Sequence, residues 1–265
     1  MPILRTDALT RRFGPLTAVD GLTISVEPSE VFGLLGPNGA GKTTVIKMLT
    51  TLLPPTSGSA EIAGLDITHH AAEVRRVIGY VPQLVSADGT LTGYENLLIF
   101  AKLYDIPRSE RADRVREALE FMGLEEVGDK LVRNYSGGMI RRLEIAQSML
   151  HRPSVLFLDE STVGLDPVAR NGVWEHIQRL RVDYATTIFL STHYMQEADD
   201  LCNRVAIMHL GKLAAIGTPA QLKASLDKND ATLDDVFIHY TGYELESRGS
   251  FRDVSRTRRA ARRLG

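Results

Sequence analysis

Val31-Phe-Gly-Leu-Leu35 runs directly into Gly36-Pro37-Asn38-Gly39-Ala40-Gly41-Lys42-Thr43-Thr44, after which Val45, Met48, Leu49 and Leu52 recur on one helical face. An apolar strand, a glycine-rich turn and an amphipathic helix in that order form the context that a phosphate-binding loop requires. Glycines at these positions let successive backbone N–H groups turn inward around phosphates, and the start of the helix adds positive potential. Lys42 is then expected to reach the outer phosphates and Thr43 to offer its hydroxyl to Mg²⁺. The plainer alternative is a glycine-rich turn carrying a surface lysine.

Strand-length apolar runs alternate with helical periodicity through the rest of the chain: Ile78 to Val81, Val155 to Leu158 and Thr187 to Leu190. That alternation predicts an α/β core. The second of these strands ends in Asp159 and Glu160, side chains delivered to the mouth of the sheet. Beside a phosphate loop, Asp159 is expected to hold Mg²⁺ through water and Glu160 to orient or deprotonate an attacking water. Taken alone, two such acids would be a solvated loop.

Residues 91–150 have a different texture. Thr92-Gly-Tyr-Glu95 reads as a capping box, and Val115, Ala118, Leu119 and Met122 keep helical spacing until Gly123. This predicts a helical lobe inserted between core strands. From Val205, the run VAIMHLGKLAAIG reads as a hairpin around Leu210-Gly211-Lys212, and the core is expected to close near Pro219. Residues 220–245 are patterned as a short helical extension. Residues 246–265, with seven arginines against Glu246 and Asp253, read as a basic, disordered tail.

Composition narrows the function. A chain of 265 residues with 43% hydrophobic and 24% charged residues is ordinary globular material, and its formal net charge of -2 offers no whole-molecule attraction to polyanions, so nucleic acid is not expected as a partner. The single cysteine, Cys202, excludes an internal disulfide and a multi-cysteine zinc site, and fits a reducing compartment. The sequence contains neither the basic-then-apolar opening of a secretory signal nor a stretch of the ~20 apolar residues that a membrane span needs. Any work at a membrane would need spans from another chain.

Tyr135-Ser136-Gly137-Gly138-Met139 places a second glycine-rich helix start upstream of Asp159. The ordered set GPNGAGKTT, YVPQ, YSGGM, VLFLDE, GLD and STH resembles the ATP-binding subunit of an ABC transporter, and the likeness spans nearly the whole chain. The resemblance implies a phosphate-loop NTPase core over residues 1–219, with an N-terminal antiparallel β subdomain and the helical lobe inserted. It implies ATP and Mg²⁺ as ligands and ATP hydrolysis as the reaction. Ser136, Gly137 and Gly138 would close on the γ-phosphate held by another subunit's loop, and Asp166 in Gly164-Leu165-Asp166 would lie in the loop crossing that interface. Gln83 resembles the glutamine that touches Mg²⁺ or the water, and His193 the switch histidine at the γ-phosphate. Phe13 resembles the aromatic that stacks on adenine; burial in the core is the alternative for a Phe.

Tyr135 and Met139 stand where Leu and Gln are usual, a form that resembles the daunorubicin-resistance branch of multidrug exporters. Ser161 follows Glu160 where Pro is usual, which predicts a looser backbone beside that carboxylate. The implied protein is a motor for drug or small hydrophobic cargo: a homodimer, or a heterodimer with a second ABC ATPase, bound to a separate integral membrane permease on the inner, cytoplasmic face of the cell membrane. A soluble ABC ATPase acting on ribosomes or DNA is the first rival, although neither a tandem cassette nor a long coiled coil is present. A phosphate-loop kinase is the second, but it leaves Ser136 to Gly138 and His193 without a role.

Overall fold

A computed structural model describes residues 1–226, 228 and 230–242 of the chain. The tail read at 246–265, and the last residues of the extension read at 220–245, lie outside the described residues.

Eleven strands are described: β1 (Leu4–Phe13), β2 (Leu16–Leu22), β3 (Ser25–Val26), β4 (Val31–Leu35), β5 (Ser57–Ile62), β6 (Leu65–Asp66), β7 (Ile78–Val81), β8 (Val155–Asp159), β9 (Thr187–Thr192), β10 (Arg204–His209) and β11 (Lys212–Gly217). Among them run α1 (Lys42–Leu49), α2 (Ala71–Val77), α3 (Gly93–Leu103), α4 (Arg111–Phe121), α5 (Gly137–Met149), α6 (Pro167–Tyr184) and α7 (Met195–Leu201), followed by α8 (Pro219–Ala224) and α9 (Leu233–Thr241). Strands β2, β1, β5 and β6 form an antiparallel sheet, with β3 paired to β1. The main sheet has the order β11-β10-β4-β9-β8-β7 and is parallel except for the β10–β11 hairpin.

Every residue of β4, β8 and β9 is buried, as expected of parallel strands covered on both faces. Alternation then sorts their side chains. Phe32, Leu34, Phe157 and Phe189 pack with Val45, Ile46 and Met48 of α1, and the rings of Phe32 and Phe157 lie 5.4 Å from that of Phe189. Leu35, Leu156, Leu158 and Leu190 face the other way, among residues of α5, α6 and α7. Asp159 continues the period-2 series of Val155 and Phe157, so it emerges on the α1 side, where Thr43 stands. The paired residues Val81 with Leu158, Asp159 with Ser191, and Leu35 with Thr192 bring the C-terminal ends of four strands into line. Ligands of open α/β sheets bind at that edge.

The helical segment leaves the sheet after β7 and returns at β8, its pairing neighbour. Thr92 caps α3 through the capping box read from the sequence, and α5 returns so close to β7 that a Cβ on Gly79 would lie 2.4 Å from the Ser148 carbonyl oxygen. Gly33, in the middle of β4, has a similar restriction: a Cβ there would lie 2.6 Å from Cys202 Sγ. Gly33→Ala should therefore destabilise the chain by about 1–3 kcal/mol through overpacking. Adding Cys202→Ala should recover part of that loss in urea denaturation. A double variant no more stable than Gly33→Ala alone would show that the sulfur is not the obstacle.

Candidate nucleotide-binding site

The turn between β4 and α1 needs glycine for a specific reason. Gly41 has φ +104, and a Cβ there would lie 2.4 Å from the Ala18 carbonyl oxygen, so β2 passes where any side chain would go. Ala40, buried in the same turn, accepts at its carbonyl from Gly211 N–H at 3.1 Å, which ties the tip of the β10–β11 hairpin to the loop. Gly36 and Pro37 face inward with their carbonyls. Lys42 Nζ donates to both, at 2.8 and 3.1 Å, and lies 3.0 Å from Glu160 Oε1. At 4% exposure Lys42 is not the surface lysine of the plainer sequence alternative.

Asp159 and Glu160 are buried as well, which disposes of the solvated-loop alternative. Asp159 Oδ1 accepts from Ser191 Oγ at 2.6 Å and from Thr43 Oγ1 at 3.2 Å. Its Oδ2 is buried without a partner among the described residues. An unpaired carboxylate oxygen beside a threonine hydroxyl is hard-oxygen chemistry that fits Mg²⁺. Among the described residues no three His, Cys, Asp or Glu cluster as metal ligands, so phosphate oxygens or water would have to complete such a shell.

Glu160 is the hub. Its φ of +47 is in the left-handed region, rare for a residue with a side chain. The backbone is pinned there because Glu160 N–H reaches both the carbonyl and the Oγ of Ser191, each at 3.1 Å. Ser161, which stands where a proline is usual, is buried, and the neighbouring Glu160 amide is bonded to β9. Around the carboxylate, Gln83 Nε2 donates to Oε2 at 3.2 Å, and His193 Nδ1 lies 3.4 Å from the same oxygen, within ion-pair reach but not aligned as a hydrogen bond. The contact with His193 does most to lower the Glu160 pKa, followed by Lys42; against the opposing effect of burial they hold it at about 2.

One cleft gathers Asn38, Gly39, Gly41, Lys42, Thr43 and Thr44 with Gln83 and Glu160. Its remaining wall is Phe13, Leu16, Thr17, Ala18, Leu210 and Gly211. Phe13 is 44% exposed, so the core alternative fails, and the Arg11 guanidinium lies 4.7 Å from its ring centroid. Leu16 and Leu210 were not foreseen as part of a binding wall. The fold is what reveals them: Leu16 and Leu210 are 64% and 76% exposed, apolar residues with no core to serve.

Ser136, Gly137, Gly138 and Asp166 do not line this cleft. They meet one another instead. Ser136 caps α5 and Asp166 caps α6, a Cβ on Gly137 would lie 3.3 Å from Leu165, and one on Gly138 would lie 2.9 Å from Ala169. Two exposed helix N-termini therefore sit side by side. A further group escaped sequence reasoning: Arg141 of α5 donates to the carbonyls of Pro82 and Gln83 at 2.9 and 3.1 Å and is paired at 2.8 Å with Glu144, which accepts from Ser86 Oγ at 3.0 Å. The backbone carrying Gln83 is thus held by the helical lobe.

A family model described as ABC transporter matches residues 19–163. The daunorubicin/doxorubicin resistance ATP-binding protein DrrA of Streptomyces peucetius is 44% identical over 226 residues, covering 85% of this chain and 68% of that protein. Nod factor export ATP-binding protein I of Ralstonia nicotianae is 43% identical over 221 residues, covering 83% and 68%. A solved ATP-binding subunit of an ABC transporter superposes with a TM-score of 0.79 at 27% identity, covering 90% of this chain and 99% of its own.

The Glu160 environment has a measurable consequence. A carboxylate whose pKa falls from 4.5 to about 2 on folding contributes stability above pH 4.5 that is lost as pH drops towards 2. Nucleotide-free Glu160→Gln should therefore be less stable than the parent at pH 7, with the gap narrowing as the pH falls through that window in stepped urea titrations. A gap independent of pH would contradict the ion pairing described.

Proposed function

Because the chain belongs to the ABC transporter family as one of its ATP-binding, ATP-hydrolysing subunits, we propose that it drives export through a separate membrane-spanning partner, with drugs or other small hydrophobic molecules as cargo. No helix among the described residues is long and apolar enough to cross a membrane, and the two relatives named above are resistance and export proteins. On that reading the chain works on the inner face of the cell membrane, beside the partner that supplies the spans. The observation that carries the reading is the meeting of Lys42, Gln83 and Glu160 at one cleft with an apolar far wall, with His193 reaching Glu160 from behind that lining.

In that cleft the phosphates take the loop from Gly36 to Thr44 and the base takes the face of Phe13, with Leu16 and Leu210 beside it. Mg²⁺, held by Thr43 and Asp159 with Gln83 nearby, supplies charge neutralisation at the phosphate oxygens when bound. The arriving anion draws Lys42 Nζ away from Glu160 and from the carbonyls of Gly36 and Pro37. Deprived of that cation and set near phosphate charge, Glu160 becomes more basic and accepts a proton from the attacking water. His193 donates a hydrogen bond to the terminal phosphate.

One chain does not complete the site. Ser136 to Gly138 and Asp166 form an exposed pair of helix starts outside their own cleft, and helix starts attract anions. A second copy, or a second ABC ATPase, would bring its loop-bound γ-phosphate to them, and two such contacts make a closed twofold pair. Nucleotide binding then favours association because only the closed dimer uses both sets.

Ser136→Arg should leave the monomer's ATP affinity within about twofold while turnover falls by about 10²-fold or more, since a cation and its bulk would sit at the partner's phosphate. Equal loss of binding and phosphate release would place Ser136 in its own chain's pocket. Glu160→Gln should keep the phosphate contacts but lose the base, so a dimer should accumulate with Mg²⁺ and ATP, and not with ADP, in light scattering. If that variant turns over at the parent's rate and stays monomeric, Glu160 is not the catalytic carboxylate.

A further inference from the structure

Glu197 is a buried carboxylate, 4% exposed, with no part in the chemistry outlined above. It sits on α7, four residues after His193, and its Oε1 accepts two hydrogen bonds from separate elements: from Thr162 Oγ1 at 2.7 Å and from the indole Nε1 of Trp174 on α6 at 3.0 Å. Thr162 is fully buried and lies two residues after Glu160. The contacts close a ring. Chain connects Glu160 to Thr162, a hydrogen bond connects Thr162 to Glu197, chain leads back from Glu197 to His193, and His193 Nδ1 lies 3.4 Å from Glu160 Oε2.

We propose that Glu197 is a positioning residue that fixes the separation of His193 from Glu160 by holding the His193 turn against the segment Thr162 to Asp166. The proposal rests on His193 being the terminal-phosphate contact. A dry site with two donors from different elements needs an acceptor that serves both, and one carboxylate oxygen does so. An apolar side chain would fill the space but join nothing. A second contact runs in parallel: the Arg170 guanidinium of α6 covers the Tyr194 ring at 4.6 Å, and that ring lies 4.3 Å from the ring of His193. Thr162 in turn accepts at its carbonyl from Leu165 N–H at 3.2 Å, directly before Asp166 caps α6. A shift of the Asp166 loop therefore moves His193 with it.

A double-variant cycle on the full chain tests this. Thr162→Val keeps the shape and removes the hydroxyl; kcat should fall about tenfold to hundredfold, as for a misplaced catalytic group, with ATP affinity within about twofold of the parent. Thr162→Ser should restore turnover. In a His193→Ala background, Thr162→Val should cause no further fall. An equal fractional loss with and without His193, or no loss at all, overturns the clamp. Parent turnover in His193→Ala alone overturns the reading of His193 and the proposal with it, and that failure is visible in the single variant. If Thr162→Val does not fold, as judged from the emission of Trp174, the only tryptophan, the same cycle is run with Thr162→Ala, which removes the hydroxyl without the second methyl, and the same outcomes decide.

Discussion

The ammonium of Lys42 is the point about which the site is arranged. It is buried, satisfied by two carbonyls of its own loop and paired with Glu160. Removing one partner from such a pair costs about 3–5 kcal/mol, because the other charge is left dry and alone. That penalty explains why the loop can hold its shape before any phosphate arrives: the lysine occupies the space and the carboxylate answers its charge. It also explains why a phosphate is the natural competitor. A polyanion would offer Lys42 a stronger counter-charge at the same place, and on the proposed mechanism Glu160 would be released by the exchange.

Gln83 shows how such an exchange is felt at a distance. Its backbone is held by Arg141 and its side chain by Glu160. Burial pulls the Arg141 pKa down from its ordinary value, and Glu144 opposes that pull, so the pair stays together where water does not reach. The lobe therefore holds one end of this residue and the core sheet the other. A rotation of the lobe against the sheet would bear on Gln83 at its contact with Glu160.

What could be read from sequence was whatever depends on neighbours along the chain. Val31 to Leu35 and Val155 to Leu158 announced buried parallel strands through unbroken apolar runs, and Thr92 to Glu95 announced the start of α3 through its own capping chemistry. The hairpin at Leu210-Gly211 followed from a local turn signal, and both residues have positive φ. Contacts made across the sheet were not legible. Nothing near Ser191 says that its hydroxyl will orient Asp159 and receive the Glu160 amide, because register brings them together from 31 and 32 residues away. Glu144, Glu197 and Leu210 escaped for the same reason: a Glu in a helix reads as a solvated face, and a Leu in a turn reads as incidental, until the fold shows what stands opposite.

The cleft side of the sheet thus holds polar groups where a core optimised for stability alone would hold apolar ones. Lys42, Asp159, Glu160, Thr162, Ser191 and Glu197 are all buried, and each needs its partners in place to offset the loss of water. The apolar layers on either face of the β4, β8 and β9 strands supply the stability that this polar edge withholds. Because each of these groups touches another of the same set, the contacts run on from one to the next: Lys42 to Glu160, Glu160 to Gln83 and His193, and from the His193 turn through Glu197 to Thr162. An apolar core of equal density would resist a bound anion without responding to it. A hydrogen-bonded edge can exchange partners, so the occupancy of a phosphate site becomes a change in position elsewhere in the chain.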